Sequence, residues 1–211
     1  MMKESKFVVL KFDKNNTSLI DFFNSLFECE YIIRKDYFIY KLDNEKAYKE
    51  YNLKNMIELI KLDFNTDINI FESCILNDKN IKDFDIIFDI YNNCKHKDYL
   101  NMASLSMILF NDKESNNQLN DIKNIINKIM KENEGFIDIS KAMFKNNLNV
   151  SRSASDAFMH RNTLISKLDI LNKKTGFNIQ NFQDAFILYL FINKHWLCML
   201  HNLFFIVWKE K

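Results

Sequence analysis

The sequence predicts an α+β fold in which a sheet domain precedes an all-helical region. Over the first third of the chain, hydrophobic residues alternate as in strands or recur as in helices, in the order β-α-β-β-α-β. From about residue 115 onward they recur only with helical spacing. The polar stretch Asn111 to Gln118 separates the two patterns, so we expect a domain over residues 1–114 and a second over residues 115–211.

The N-terminal elements are predicted from these patterns one by one. In chain order they are a buried strand at Phe7 to Phe12, an amphipathic helix at Thr17 to Phe27, a hairpin of Tyr31 to Arg34 and Tyr37 to Leu42, a long helix capped by Asn44 and ending near Phe64, and a strand at Asp67 to Leu76. This order is the ferredoxin-like, or split βαβ, arrangement.

Helical patterns account for most of the chain after residue 82. In chain order they are Asp83 to Cys94, Tyr99 to Phe110, a seam of Leu119, Ile122, Ile126 and Ile129 that ends at Glu134-Gly135, Phe136 to Asn147, and a helix that begins at Asn178 or Asn181. The seam has coiled-coil spacing, but it is short, and we expect it to pack within its own domain.

The stretch from Val150 to Gly176 predicts two short helices joined by a tight turn at Met159-His160. Ser151 is the expected N-cap of the first helix, and Ala154, Ala157 and Phe158 its buried face. The second helix begins near Arg161 and buries Leu164, Leu168 and Leu171, and Gly176 ends it. Small residues on the first helix and leucines on the second are typical of a helix-turn-helix, and an ordinary helical hairpin is the alternative.

The outward face of the second helix carries polar side chains. At 100° per residue, Asn162, Ser166, Asp169 and Lys173 lie opposite the leucines, and Thr163 lies on a flank. Short polar side chains in this position suit a helix in a DNA major groove.

The residues of this region resemble the C-terminal helix-turn-helix of PucR/CdaR-like transcriptional regulators. The resemblance covers about residues 136–194 and rests on Asn149, Ser151, Ala154, Phe158, the run from His160 to Leu164, Leu168 and Thr175-Gly176. It implies a DNA-binding regulator and a structural role for His160, whose imidazole would fix the turn. Where the family usually has Arg-Tyr-Arg after that run, this chain has Ile165, Ser166 and Lys167.

Charge and composition limit the function classes. Residues 136–194 hold eight Lys or Arg and four Asp, a net charge of +4, whereas residues 1–135 carry −4. Positive charge on the helical region suits a polyanionic partner. Glycine occurs only at Gly135 and Gly176 and proline is absent, which excludes glycine-rich phosphate loops, dinucleotide fingerprints and nucleophile elbows.

PucR/CdaR-like proteins often place a degenerate diguanylate-cyclase-like palm before the helix-turn-helix, and the N-terminal element order is similar to such a palm. Active cyclases carry glycines and acidic residues in the central hairpin, where this chain has Arg34-Lys35-Asp36. We therefore expect packing, dimerisation or effector sensing here, and no enzymatic activity.

The cysteines and the C-terminal tail suggest a cytoplasmic protein. Four cysteines are scattered without paired spacing, as in reduced thiols, and the N-terminus lacks a signal-peptide core. His195, Cys198 and His201 share a helical face, but no fourth ligand lies nearby, so we expect no metal. The apolar tail 193–211 is interrupted by polar residues, which favours packing in a core or dimer interface over membrane insertion.

Together these observations predict a cytoplasmic, homodimeric, sequence-specific regulator that binds double-stranded DNA without a cofactor, and whose effector the sequence does not name. The expected DNA contacts are Arg161, Asn162, Thr163, Ser166, Lys167 and Lys173. The alternative is an interaction or scaffold protein that keeps the fold without binding DNA.

Overall fold

The computed structural model describes residues 3–94 and 98–193 and confirms the α+β class. The elements are β1 (Glu4–Lys11), α1 (Thr17–Phe27), β2 (Tyr31–Arg34), β3 (Tyr37–Asp43), α2 (Glu45–Tyr48), α3 (Leu53–Phe64), β4 (Asn69–Asn77), α4 (Asp83–Asn93), β5 (Tyr99–Asn101), α5 (Met102–Asn111), a 3₁₀ turn (Lys113–Ser115), α6 (Asn116–Glu132), α7 (Phe136–Lys145), α8 (Val150–Asp156), α9 (Arg161–Thr175) and α10 (Phe182–Ile192).

The sheet has the strand order β2-β3-β1-β4-β5. Its first four strands pair antiparallel, and β5 pairs parallel to β4. With α1 and α3 as the two crossovers, β1 to β4 have the ferredoxin-like order, and that prediction is confirmed. The hairpin turns at Lys35, which adopts a left-handed φ of 57° although it is not glycine.

Both faces of the sheet are covered, because side chains alternate along each strand. One face carries Val8, Leu10, Phe38 and Tyr40, which form a core with apolar residues of α1 and α3. The other carries Phe7, Val9, Tyr37, Ile39 and Phe71, which belong to a second core that continues into α4 to α7, α9 and α10.

A bulge in β4 lies beside the middle of β1. The pairing register shifts between Lys6 and Val8, so Phe7 faces the extra residue of β4. The Ser73 hydroxyl accepts the Phe7 N–H at 2.8 Å and donates to the Cys74 carbonyl at 2.8 Å. This side chain replaces the ladder bond that the bulge removes.

The prediction of a single long helix after Asn44 is wrong. The chain forms the short α2 and then leaves the helical conformation before α3. Asn52 is left-handed, with φ of 51°, and Tyr51 is buried with its ring 5.0 Å from that of Phe27. Burial of Tyr51 therefore divides the expected helix in two.

The helix expected from Tyr99 begins three residues later. Tyr99 to Asn101 pair with β4 as β5, because the Asp98 carbonyl accepts the Ile70 N–H at 2.8 Å. Asn101 then caps α5 in a reciprocal capping box with Ser104.

The helical region packs on the sheet through one continuous core. The predicted seam residues Leu119, Ile122, Ile126 and Ile129 are all buried there, so α6 packs within its own chain. The domain boundary near residue 114 stays a prediction. Across residues 3–94 and 98–193, no helix is long and apolar enough to span a bilayer.

Candidate nucleic-acid interface

The first helix of the motif, α8, is capped by Asn149. Its side-chain oxygen accepts the Arg152 N–H at 3.0 Å. Ser151, the N-cap expected from the sequence, is exposed within the first turn, so that assignment is wrong by two residues. Serine and asparagine are equally good caps, and tertiary packing selects between them.

Ser153 joins α8 to the supporting helix α7. Its buried hydroxyl lies 2.8 Å from the Asn149 carbonyl and 3.2 Å from the Ala142 carbonyl of α7. Ala154, next to it, is buried as predicted. These contacts fix the start of the motif on α7.

The turn after α8 is a Schellman motif that spans Ala157 to Met159. The Met159 N–H donates to the Ala154 carbonyl at 3.0 Å and the Phe158 N–H to the Ser155 carbonyl at 3.1 Å. Phe158 occupies the left-handed position with φ of 51°, where glycine is the usual residue.

Phe158 is 98% exposed, so the prediction of a buried Phe158 is wrong. The helical spacing on which that prediction rested ends at Asp156, and a left-handed residue directs its side chain away from the helix face. Ala157 is only half-buried.

His160 caps the second helix, α9. Its Nδ1 accepts the Asn162 N–H at 3.2 Å, which confirms that the imidazole fixes the turn. Because Nδ1 accepts, this bond requires an imidazole whose Nδ1 carries no proton.

α9 is held by its leucines and closed by glycine. Leu164, Leu168 and Leu171 are buried as predicted. Gly176 has φ of 77° and donates its N–H to the Asn172 carbonyl at 2.7 Å. A Cβ at this position would lie 3.1 Å from the Cβ of Met102, so glycine also permits a close approach to α5.

The opposite side of α9 is open. Arg161, Asn162 and Thr163 in the first turn are exposed, and Ser166 and Asp169 continue the exposed surface. The Ser166 hydroxyl donates to the Asn162 carbonyl one turn earlier, at 3.1 Å. We call Arg161, Asn162, Thr163, Ser166 and Asp169 the outer face. It offers hydrogen-bonding groups, one cation and one carboxylate.

The lysines of α9 lie elsewhere. Lys167 is half-buried beside Gly135 in the α6–α7 turn. Lys173 has its Nζ 3.8 Å from the Glu50 carboxylate, in the loop between α2 and α3. Lys174 is directed inward to Glu4 and Asn133. The structure therefore brings Arg161, Asn162, Thr163 and Ser166 together, and it sets Lys167 and Lys173 apart from them.

Arg152 was not among the predicted contacts. It lies exposed in the first turn of α8. Its position directly after Ser151, the expected cap, is the feature of the sequence that could have placed this cation at the start of the motif. It adds positive charge to the exposed surface of the motif.

Across residues 3–94 and 98–193, no cluster of three metal-ligating side chains occurs, and Cys29, Cys74 and Cys94 are free thiols. Burial raises the pKa of the Cys74 thiol to about 12. His195, Cys198, His201 and the apolar tail beyond Asn193 lie outside the described residues, as does His96.

The fold and this site define an α+β protein with a helix-turn-helix packed on its sheet. Residues 138–193 match the model of the PucR C-terminal helix-turn-helix domain, which confirms the resemblance over that segment. Comparison with curated proteins finds no match. A solved structure, the regulator of polyketide synthase expression from Bifidobacterium adolescentis, aligns over 91% of this chain and 80% of its own at 10% identity, with a TM-score of 0.38. That overlap is too low to establish a common fold.

Proposed function

We propose that this protein is a transcriptional regulator that binds double-stranded DNA with α9 in the major groove. The observation that carries the proposal is the outer face of α9, which is exposed and polar in a segment that matches a PucR-type helix-turn-helix. The leucines opposite it are committed to the core, so α9 has a fixed orientation. A helix of this kind reads base edges with the residues of its first turn.

The residues of the outer face take distinct roles in this proposal. Asn162 has an amide that donates and accepts at once, which suits bidentate contact with adenine. Thr163 and Ser166 are short enough to approach base edges, and Arg161 at the start of α9 contacts phosphate. Lys167 and Lys173, on the margins, contribute general positive charge. Asp169 opposes the phosphates and lowers affinity.

The protein acts in the cytoplasm as a homodimer in this proposal. Two recognition helices on successive half-sites, about 34 Å apart, supply the affinity that a single short helix lacks. No catalytic step and no cofactor are part of the proposal.

A pull-down of genomic fragments tests it. Full-length protein should enrich a recurring sequence motif, and Asn162→Ala should lose the enrichment while its circular dichroism spectrum stays unchanged. Asp169→Asn is the matched control on the same face, and it should bind more tightly, because it removes a carboxylate from the phosphate surface. Equal recovery of fragments by all three proteins would contradict the proposal.

The second candidate is an interaction protein that keeps the fold without reading DNA. Its supporting observation is Phe158, which presents a nearly fully exposed aromatic ring beside α9. Aromatic side chains are enriched at protein–protein interfaces. No enrichment of DNA, together with a partner that is lost in Phe158→Ala, would favour this candidate.

A further inference from the structure

A polar cleft lies between the sheet, the start of α3 and the end of α9. Its volume is about 300 Å³. Lys6, Glu72 and Tyr99 of the sheet form its floor, the first turn of α3 forms one wall, and Asn172 and Lys173 of α9 form another. The last turn of the proposed recognition helix thus belongs to a cavity that it shares with the sheet domain.

The floor is a pre-organised hydrogen-bond network. The Glu72 carboxylate forms an ion pair with Lys6 and accepts the Tyr99 hydroxyl at 2.7 Å. Burial, reinforced by the Glu72 charge, raises the pKa of Tyr99 far above its ordinary value, so the phenol remains a donor. Both Glu72 oxygens are engaged, whereas the Lys6 ammonium has three donors and this ion pair uses one. The floor therefore offers spare Lys6 donors beside a carboxylate whose two oxygens each already hold one partner.

The walls add positive charge. The cleft is lined by three lysines and two glutamates, a net charge of +1. Lys54 stands in the first turn of α3, which contains no acidic residue, and the side chain of Asn52 does not cap that helix. Lys173 faces Glu50 at 3.8 Å, longer than a direct hydrogen bond. An anion between Lys54 and Lys173 would meet two ammonium groups and a helix start that lacks a side-chain cap.

We propose that this cleft binds a small anionic metabolite that bears a carboxylate or a phosphate, and that the ligand regulates the helix-turn-helix. A volume of about 300 Å³ lies at the lower end of the range for ligand pockets, which suits a small metabolite. The anionic group lies between Lys54 and Lys173, and the polar remainder contacts Lys6 and the amide of Asn172.

The ligand joins α3 to α9, and so it ties the recognition helix to the sheet. Anion binding at Lys173 also weakens the attraction of that lysine to Glu50 and changes the charge at the end of α9. Because this regulatory part rests on the proposed DNA-binding function, its test separates ligand binding from DNA binding.

The first measurement is ligand binding without DNA. Full-length protein is titrated calorimetrically with L-malate and with glycerol 3-phosphate, and glycerol is the uncharged control. One anion should bind and glycerol should not, and the anion that binds identifies the recognised group. At a hundredfold excess over its Kd, the ligand should raise Tm by roughly 5–10 °C.

Matched variants locate the site. Lys54→Gln should weaken the anion about tenfold with an unchanged circular dichroism spectrum. Lys79→Gln, an exposed lysine in the turn after β4, should bind like the parent. If neither anion binds, or if the two variants lose the same affinity, the site is wrong.

The second measurement is DNA affinity at constant ionic strength. Saturating ligand should change the Kd for an enriched fragment at least threefold in the parent and not in Lys54→Gln. A bound anion that leaves DNA affinity unchanged would overturn the regulation. Anion binding by a protein that binds no DNA would leave the site intact and overturn the proposed function instead.

Discussion

The Lys174 ammonium at the end of α9 lies 2.9 Å from the carboxylate of Glu4 at the start of β1. The same nitrogen lies 2.7 Å from the Asn133 side-chain oxygen at the end of α6. The Tyr48 hydroxyl donates to the other oxygen of Glu4. This mostly buried ion pair therefore joins the last turn of α9 to the first strand of the sheet.

Lys174→Met should lower the free energy of unfolding by roughly 1–3 kcal/mol, because the Glu4 carboxylate loses its cation while it remains partly buried. Urea denaturation measures the loss. Lys128→Met is the control, since Lys128 meets Asp83 at 3.4 Å in a more exposed ion pair, and it should cost under about 1 kcal/mol. In a double-mutant cycle with Glu4→Gln, zero coupling would show that the pair contributes nothing.

Phe158→Gly should raise the free energy of unfolding by roughly 0.5–1 kcal/mol. Phenylalanine is strained at φ of 51° and its side chain buries almost nothing. Glycine adopts this conformation without strain, and the greater entropy of glycine in the unfolded chain cancels part of that stabilisation. Thermal denaturation at several protein concentrations checks this. Leu168→Ala should instead cost roughly 2–5 kcal/mol, because Leu168 is buried. A clear loss of stability in Phe158→Gly would mean that the ring is covered in solution.

Asn162→Ala should remove roughly 1–3 kcal/mol of specific DNA affinity and narrow the gap between operator and random DNA. Lys173→Ala should weaken binding to all sequences about equally. It should reduce the dependence of log K on log salt by less than one unit, because Glu50 already lies near the Lys173 ammonium. Titrations of operator and scrambled duplexes at several salt concentrations separate the two. If both variants behave alike, α9 does not enter the groove as proposed.

The free energy of unfolding should fall above pH 9, and Cys74 should contribute a defined part of that fall. Burial raises the pKa of this thiol from 9.0 to about 12, so the unfolded chain loses a proton that the folded chain keeps. The stabilisation is complete below pH 9 and decreases as pH rises toward 12, by about 1.4 kcal/mol between pH 8 and 10. Urea denaturation at several pH values between 8 and 10 measures how steeply the free energy of unfolding falls with pH. Cys74→Ala should make the slope shallower by about that amount, and the rest should remain, because burial also raises the pKa of Tyr40, Tyr48, Tyr91 and Tyr99. An identical slope in the variant would refute the assignment.

Four of the five strands were predictable because each is a short apolar run, whereas β5 lies in a stretch whose pattern predicts a helix. Thr17–Phe27 has the bounds that its pattern predicts, and the strands around Lys35-Asp36 agree within one residue. The bulge at Ser73 and the division at Tyr51 depend on contacts between distant elements, which one sequence does not display.

The candidate site likewise has features that the sequence predicts and features that it does not. The buried leucines of α9 and its closure at Gly176 are local features that the sequence predicts, and the family resemblance implies the structural role of His160. The inward direction of Lys174 and the Glu50 partner of Lys173 are set by residues far along the chain. Periodicity assigns a side chain to a face of a helix, but it does not say what stands opposite that face.

The apolar interior that runs without a break from Phe7 to Phe191 restricts how this protein can be re-engineered. A chimera that received another regulator's α8 and α9 would place foreign side chains against β4, where the leucines of α9 now pack. Side chains of a different volume would leave voids in this core. Under the proposed function, new operator specificity is therefore more accessible by substituting Asn162, Thr163 and Ser166 in place than by transplanting the motif.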